Sequence, residues 1–455
     1  MLVTYKKIKF IKYLYSHFPS RLRFGASTYY SFRRMIQRSQ YLSENELKAY
    51  QLRQLKKNVQ HAWANIPGYR KHWEENNFSP DKLKSLDDLK SIPFMTKEIL
   101  RDKLEKFSYK KLKGLHKITT GGSTGIPFGF YQQRKNGLIE LAFMHELWSQ
   151  FYPKINLKTK ATILRGKRME GPIGYDPLNG LILSSFDLIP QNISQYIQAI
   201  EKYKTPILRA YPSSLYVFST LIENLGLSIK HNFDSIMLGS EILYDFQNNQ
   251  IQRIFKAPIV NWYGHGEKAV LAGYCRHNTK LHAFPQYGIT EIAGQDGKEV
   301  QAGETGEIVG TSFWNYATPF IRYKTKDFAR KGTENCSECN RHYQLIDEIQ
   351  GREHEFIVDK NKKLIVLTGV SIVCGTFTEI NQFRFYQDAV GTFIFRYVKT
   401  PEIKKVNTAF IQKSLFEKIG GNFDIIFQEV NEIERTASGK MMYLEQKLDI
   451  KKLLN

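Results

Sequence analysis

The sequence predicts a layered α/β protein in two parts: a large N-terminal domain over residues 1–350 and a small α+β lid domain over 351–455. Three observations carry this. Between about 160 and 330, strand-like and helix-like stretches alternate, the pattern of strands layered against helices. From Gly273 the texture changes to short β segments with turns, which marks a β-rich part over 273–350. At Gly351-Arg352-Glu353-His354 a hinge is expected, because a β hairpin turning at Lys360-Asn361-Lys362-Lys363 begins just after it. A chain of 455 residues also exceeds what one hydrophobic core usually holds.

Residues 1–100 read as a helical lead-in. The first 40 are basic and aromatic, with Tyr5, Phe10, Tyr13, Tyr15, Phe18, Tyr29, Tyr30 and Phe32 set among lysines and arginines. A helical layer packed on the main domain is the expectation, with a membrane-surface or partner-binding arm as the alternative. Ser43-Glu44-Asn45-Glu46 resembles a capping box, and Leu47, Tyr50, Leu55, Val59 and Ala62 follow at near-helical spacing. Asn65-Ile66-Pro67-Gly68-Tyr69 ends that helix. Farther on, Ala161 to Leu164, Pro206 to Leu208, Ser235 to Leu238 and Ile259 to Trp262 read as strands. Ser213 or Ser214 is expected to cap a helix through Leu215, Phe218 and Ile222, and a second helix fills Tyr244 to Phe255.

The 42% apolar content is that of a folded soluble protein. No stretch approaches the roughly 18 uninterrupted apolar residues of a membrane span, and the N-terminus lacks a signal-peptide core, so a cytoplasmic protein is expected. Four cysteines in so long a chain argue against a disulfide framework. The net charge of +22 is spread along the whole chain without a nucleic-acid-binding motif. No nucleic-acid partner is therefore expected, although a basic surface favours phosphate-bearing ligands and anionic membrane faces.

Thr119-Thr120-Gly121-Gly122-Ser123-Thr124-Gly125-Ile126-Pro127 reads as a phosphate cradle. Glycines let backbone amides turn inward on an anion, and the hydroxyls add donors. The strand-like Phe128-Gly129-Phe130-Tyr131 that follows makes this loop the tip of a hairpin, not the strand-to-helix turn of a Walker A site.

Five further stretches follow in order: Leu238-Gly239-Ser240-Glu241, Tyr263-Gly264-His265-Gly266-Glu267, Arg322-Tyr323-Lys324-Thr325-Lys326-Asp327, Gly351-Arg352, and Arg435-Thr436-Ala437-Ser438-Gly439-Lys440. With the loop, this order and spacing resemble the adenylate-forming superfamily of acyl- and aryl-CoA ligases, specifically its phenylacetate-CoA ligase branch, which includes the CapK-type proteins of capsular polysaccharide loci. The resemblance covers nearly the whole chain. It implies ATP-dependent, AMP-forming activation of a carboxylic acid, with acyl transfer to CoA. An amine, hydroxyl or carrier acceptor, and a nucleotide-binding scaffold without catalysis, are the alternatives.

By the same resemblance, Thr119 to Gly125 would hold the β- and γ-phosphates. Glu267 would bind magnesium, Tyr263 would stack on adenine with Gly264 also at the nucleotide, and the backbone of Gly239, Ser240 and Glu241 would line its other side. Asp327 would bind the ribose hydroxyls, Arg352 would lie near ribose or phosphate, and Lys440 would be the catalytic cation. The chain departs from the family pattern at Gly266, where a threonine is usual, at Lys326, where a glycine is usual, and at His354-Glu355, where an acidic pair is common.

A second constellation joins Cys336-Ser337-Glu338-Cys339 to Cys275, His277 and His282. The C-x2-C knuckle is a zinc half-site, and Cys275 with His282 would complete a tetrahedral structural site, His277 being the fallback ligand. Cys374 reads as a core residue. For the acyl pocket, His145 shares a helical face with Leu138, Leu141 and Trp148 and reads as pocket or core, while Arg165, Lys167 and Arg168 just after a strand read as a solvated basic turn, attraction of an anionic substrate being the alternative.

Overall fold

The structure is a computed structural model and describes residues 11–120, 128–165, 169–352, 356–362, 364–366, 379–434 and 442–448. Its lead-in comprises α1 (Ala26–Ser39), α2 (Glu44–Asn65), α3 (Pro67–Glu75) and α4 (Lys97–Asp102). The capping box at the start of α2 is formed: Ser43 Oγ accepts from Glu46 N, and Glu46 Oε2 accepts from Ser43 N at 2.9 Å. Leu47, Leu55, Val59 and Ala62 are buried, so the sequence period marks the inward face. Helix α2 stops at Asn65, and Pro67 opens α3 at a position where a missing N–H costs nothing.

Strands β1 (Leu115–Thr120) and β2 (Phe128–Gln133) pair antiparallel with Thr120 opposite Phe128, the hairpin that the sequence implied. Its connecting residues 121–127 lie outside the described residues. Phe128 and Phe130 are buried against the lead-in core of Tyr69, Ile92 and Met95, which anchors the hairpin. From β2 the chain passes directly into α5 (Arg134–Ser149).

The main sheet has twelve strands: β3 (Ala161–Arg165), β4 (Ile173–Asp176), β5 (Gly180–Ser184), β6 (Ile207–Ala210), β7 (Ser235–Gly239), β8 (Ile259–Gly264), β9 (Leu271–Tyr274), β10 (Leu281–Ala283), β11 (Gly288–Ala293), β12 (Thr305–Ser312), β13 (Tyr323–Lys331) and β14 (Leu345–Arg352). The spatial order is β11-β12-β13-β14-β10-β9-β8-β7-β6-β3-β5-β4. Strands β5, β3, β6, β7 and β8 run parallel. From β8 to β11 the pairing is antiparallel, as the change of texture near Gly273 implied. Alternation sends Leu164, Leu208, Ile236 and Leu238 to one face, against α6 (Pro190–Tyr203), α7 (Pro212–Asn224) and α8 (Asp245–Phe255). Ile163, Ile207, Met237 and Val260 point the other way, against α5 and α1.

The start of α7 corrects an expectation. Neither Ser213 nor Ser214 caps it; Tyr211 is the N-cap and Pro212 the first helical residue. The proline suits that position, and the Glu241 carboxylate accepts from Ser213 N at 3.0 Å, so a capping hydroxyl is not required.

The C-terminal residues form a smaller domain. Strands β15 (Phe356–Val358) and β16 (Leu364–Val366) make a hairpin around the expected turn. A four-stranded sheet is ordered β19 (Asp424–Glu429), β18 (Thr392–Lys399), β17 (Ile380–Ala389), β20 (Leu444–Gln446), with α9 (Thr408–Ile419) packed on it. Its core of Phe385, Phe393, Phe395 and Leu415 also takes in Ile357 of β15. Tyr443 meets the main domain, accepting a 2.9 Å hydrogen bond from Gln247 Nε2.

Between α1 and α5, His145 is core. Its Nδ1 shares a 2.7 Å hydrogen bond with Tyr29 OH, while Arg33 and Gln37 both donate to Glu146. Burial, with the Arg33 and Arg209 charges, pushes the imidazole down to about 3. A histidine kept neutral when folded, but protonated below about 6.5 when unfolded, contributes stability that is complete above that pH and is lost as pH falls toward 3. Urea unfolding should therefore show wild type losing stability between pH 7.5 and 5 more steeply than His145→Gln, the full effect being at most about 5 kcal/mol.

Candidate active site

The carboxyl ends of β7 and β8 set two of the sequence motifs side by side, because Gly239 and Trp262 are register partners. A Cβ on Gly239 would lie 2.3 Å from Trp262 Nε1, and one on Gly264 would lie 2.8 Å from Trp262 Cζ3. Both glycines thus make room for a single indole. Ser240 next to it adopts a left-handed φ of 68°, which turns the chain toward α7 and brings the Glu241 carboxylate to that helix's N-terminus.

Tyr263 points to the opposite face, and its hydroxyl donates to Asp327 Oδ2 at 2.7 Å. Strands β8 and β13 stand four places apart in the sheet order, a separation of about 19 Å if the sheet were flat. The bond therefore requires the antiparallel half to curl back on itself. Close approaches across the curl agree: a Cβ on Gly310 of β12 would lie 2.7 Å from Val270 Cγ2, beside β9. Val270, Ala272, Leu281, Ile292, Ile308 and Ile346 fill the enclosed interior.

Glu267, three residues beyond β8, is buried. Its Oε1 accepts from Tyr323 OH at 3.1 Å, and its Oε2 lies 3.2 Å from His265 Nδ1. Burial alone would raise this carboxyl, but the hydrogen bond and charge of His265 outweigh it and hold the group at about 2. Burial and the same carboxylate push Tyr323 well above its usual value, so its hydroxyl stays a donor. One ionised carboxylate fits magnesium, which takes one or two such ligands and completes its shell with water and phosphate oxygens.

Asp327 pairs in register with Arg352 across β13 and β14. The departure at Lys326 has a structural counterpart. Its φ is 64°, a conformation natural to the glycine usual there. The residue is held by its N–H donating to Glu307 Oε1 at 2.9 Å and its Nζ donating to Glu98 Oε1 at 2.6 Å. Lysine thus keeps the backbone turn and adds a link to α4.

The cysteine constellation assembles as a cluster. One ligand atom each from Cys275, His282, Cys336 and Cys339 lies within 4.8 Å of the others, and the three cysteines are free thiols. Zinc–sulfur bonds of about 2.3 Å give tetrahedral edges of about 3.8 Å, so small side-chain movements close the set on an ion. Its surroundings fit too. Backbone N–H groups of His277 and Asn278 donate to Cys275 Sγ, Asn278 Nδ2 donates to Cys336 Sγ, and His282 Nδ1 bonds the Lys280 carbonyl at 2.9 Å. That last bond leaves Nε2 as the available lone pair, 3.4 Å from Cys339 Sγ. His277 contributes its backbone and is not a member of the cluster.

Residues 357–447 match the CapK C-terminal domain model. The chain is 24% identical over 384 residues to Protein CapK of Staphylococcus aureus, covering 81% of this chain and 82% of that protein. It is 24% identical over 431 residues to phenylacetate-coenzyme A ligase of Aromatoleum evansii, covering 88% and 94% respectively. The fold matches that of 2-hydroxyisobutyryl-CoA ligase, solved in the postadenylation state with 2-HIB-AMP, at a TM-score of 0.74 and 16% identity, covering 92% of this chain and 93% of the other. Over most of its length the chain is thus similar to the phenylacetate-CoA ligase/CapK-like branch of adenylate-forming enzymes.

Of the expected site residues, Gly239, Ser240, Glu241, Tyr263, Gly264 and Glu267 gather at the ends of β7 and β8, with Asp327 bonded to Tyr263. Thr119 and Thr120 end β1 at the mouth of the hairpin. Gly121, Gly122, Ser123, Thr124, Gly125, His354, Glu355, Cys374 and Lys440 lie outside the described residues. The sequence reading gave no role to Tyr323 or His265, which hold Glu267, although both sit inside quoted motifs. It also passed over Arg209, which a single cation in an apolar parallel strand could have flagged.

Proposed function

We propose that this protein activates a carboxylic acid with ATP, releasing pyrophosphate to form an acyl-adenylate, and passes the acyl group to CoA. The Tyr263–Asp327 hydrogen bond is the observation that carries this reading. It joins the motif expected at adenine to the one expected at ribose, 64 residues apart, beside the ionised Glu267. In this reading the Asp327 carboxylate accepts from the ribose hydroxyls and the Tyr263 ring, positioned by its bond to Asp327, stacks on adenine. Magnesium, when bound at Glu267, would neutralise phosphate charge as pyrophosphate departs. The loop from Thr119 to Gly125 would supply amide and hydroxyl donors to the departing phosphates. Low-identity relatives that are named as CoA ligases support the acceptor.

Lys440 is assigned by the resemblance alone. A cation that reaches the α-phosphate and carboxylate only when the domains close acts on the reacting complex and not on ground-state ATP. Pyrophosphate exchange across aryl, fatty, amino and sugar acids identifies the substrate. With that acid, Lys440→Ala should slow adenylate formation by about a hundredfold or more with ATP affinity nearly unchanged, as for loss of one well-placed donor. Its effect on thioester formation from supplied adenylate should be much smaller. Asp327→Ala should instead weaken ATP binding. Equal loss of both half-reactions in the lysine variant would sink its assigned role.

We also propose that Cys275, His282, Cys336 and Cys339 hold a structural zinc ion, closed to substrate by its four protein ligands. Protein prepared without chelator should contain about one zinc per chain. Cys336→Ser should lose the metal and melt at lower temperature. Metal-free wild type with an unaltered melting temperature would end this assignment.

A further inference from the structure

The parallel strands run in the spatial order β8-β7-β6-β3-β5. From β3 the chain passes to β5 on one side and then returns, through α6, to β6 on the other, so the topological switch point lies between β3 and β6. Open α/β sheets bind ligands in the crevice outside the carboxyl ends at such a point. Here those ends carry Arg165 and Arg209, both on the face turned toward α5, since they alternate with Leu164 and Leu208 of the opposite face. Ser184 of β5 is the register partner of Arg165, and its buried hydroxyl has no hydrogen-bond partner.

Arg209 is partly buried, with its guanidinium 4.9 Å from the Trp148 ring centre. Among the described residues no carboxylate pairs with it; burial and then the Arg165 charge lower its pKa to about 10. A guanidinium with five N–H donors in a desolvated crevice, facing a like charge, is built to be completed by an anion. Trp262, also packed on this face, joins the crevice to the motifs at Gly239 and Gly264. We propose that Arg209, with Arg165 and Ser184, binds a second anionic group on the acid substrate, which makes the preferred substrate class a dicarboxylate or similarly dianionic acid.

The proposal rests on the acid-activating reading, and titration calorimetry without nucleotide separates the two. Glutarate and isophthalate should bind wild type, and at least tenfold more weakly to Arg209→Leu, since charge-assisted hydrogen bonds are lost. Butyrate and benzoate should bind weakly and equally to both, and Arg209→Lys should retain part of the affinity. Equal binding of mono- and dicarboxylates, no binding of either, or indifference to Arg209→Leu would each overturn the subsite. So would loss of CoA affinity in Arg209→Leu with dicarboxylate binding intact, because the arginine would then serve the acceptor. Arginine-dependent dicarboxylate binding without pyrophosphate exchange would leave the subsite standing and remove the ligase reading.

A different surface carries a second inference. Ile11, Tyr13, Leu14, Phe18, Leu22 and Phe24 are all at least half exposed, Phe24 by 80%. Residues 11–43 contain no Asp or Glu, whereas Lys12, Arg21 and Arg23 share the stretch with these side chains and Arg21 is exposed. The segment is tied down by Lys12 to Asp176 at 2.8 Å and by Arg23 to the Ser16 carbonyl at 2.6 Å and the Leu157 carbonyl. Apolar and aromatic side chains presented on a basic segment without acidic residues match an anionic lipid surface. We infer that this face docks on anionic membranes. Cosedimentation should show binding to phosphatidylglycerol-containing vesicles, weak binding to pure phosphatidylcholine, and a tenfold or larger loss in the Leu22→Glu/Phe24→Glu variant. Equal binding by that variant, no vesicle binding by wild type, or a dimer that the same variant splits would overturn it.

Discussion

The curl of the main sheet is the constraint on which the site depends. Tyr263 and Asp327 belong to strands four places apart, yet their side chains meet at 2.7 Å. A flat sheet would keep them about 19 Å apart. Short antiparallel strands accept strong coiling more readily than the parallel half, which is sandwiched between helices on both faces. The same curl brings Tyr323 of β13 onto Glu267 beyond β8. Two of the sequence motifs are thus assembled by one bend, while the parallel half supplies a fixed edge for the others.

Small residues permit the close approaches that the bend demands. Gly310 lets β12 approach Val270, and Gly239 with Gly264 receives the Trp262 indole. The indole separates two environments. Toward Tyr263 lies a polar cluster of carboxylates and phenols, whereas toward α5 lies an apolar face that carries Arg165 and Arg209 together with the Arg33–Glu146 pair. An enzyme that joins an anionic acid to an anionic phosphate needs such a division, because each anion must be held by its own cations before the two are brought together.

Charge placement extends the same logic to the rest of the molecule. A strongly basic chain repels itself unless its cations find partners. In the core, Arg322 is closed by Glu291 and by the carbonyls of Lys90 and Ile92, and Lys331 by Glu299 and Glu334. Lys326 is matched to Glu98 at a backbone turn where glycine is usual in the family. Among the described residues, Arg209 has no carboxylate paired with it and stands out against this background.

The sequence by itself determined the layering, the α2 cap, the loop's place between the strands of a hairpin and the members of the cysteine–histidine cluster, because each is written in local periodicity, capping chemistry or residue type. Ser43 and Glu46 are three residues apart, and Cys336 and Cys339 likewise, so the chain brings them together unaided. What only the tertiary structure decided were the contacts that the bend creates. Nothing local to Tyr323 says that its hydroxyl will hold Glu267, and nothing local to Glu241 says that it will replace the expected serine cap of α7. Arg209 reads as one cation in a short strand until strand order places it beside Arg165 at the switch point. Register and curvature are properties of the whole sheet, set by how its two faces pack, and no stretch of residues encodes them alone.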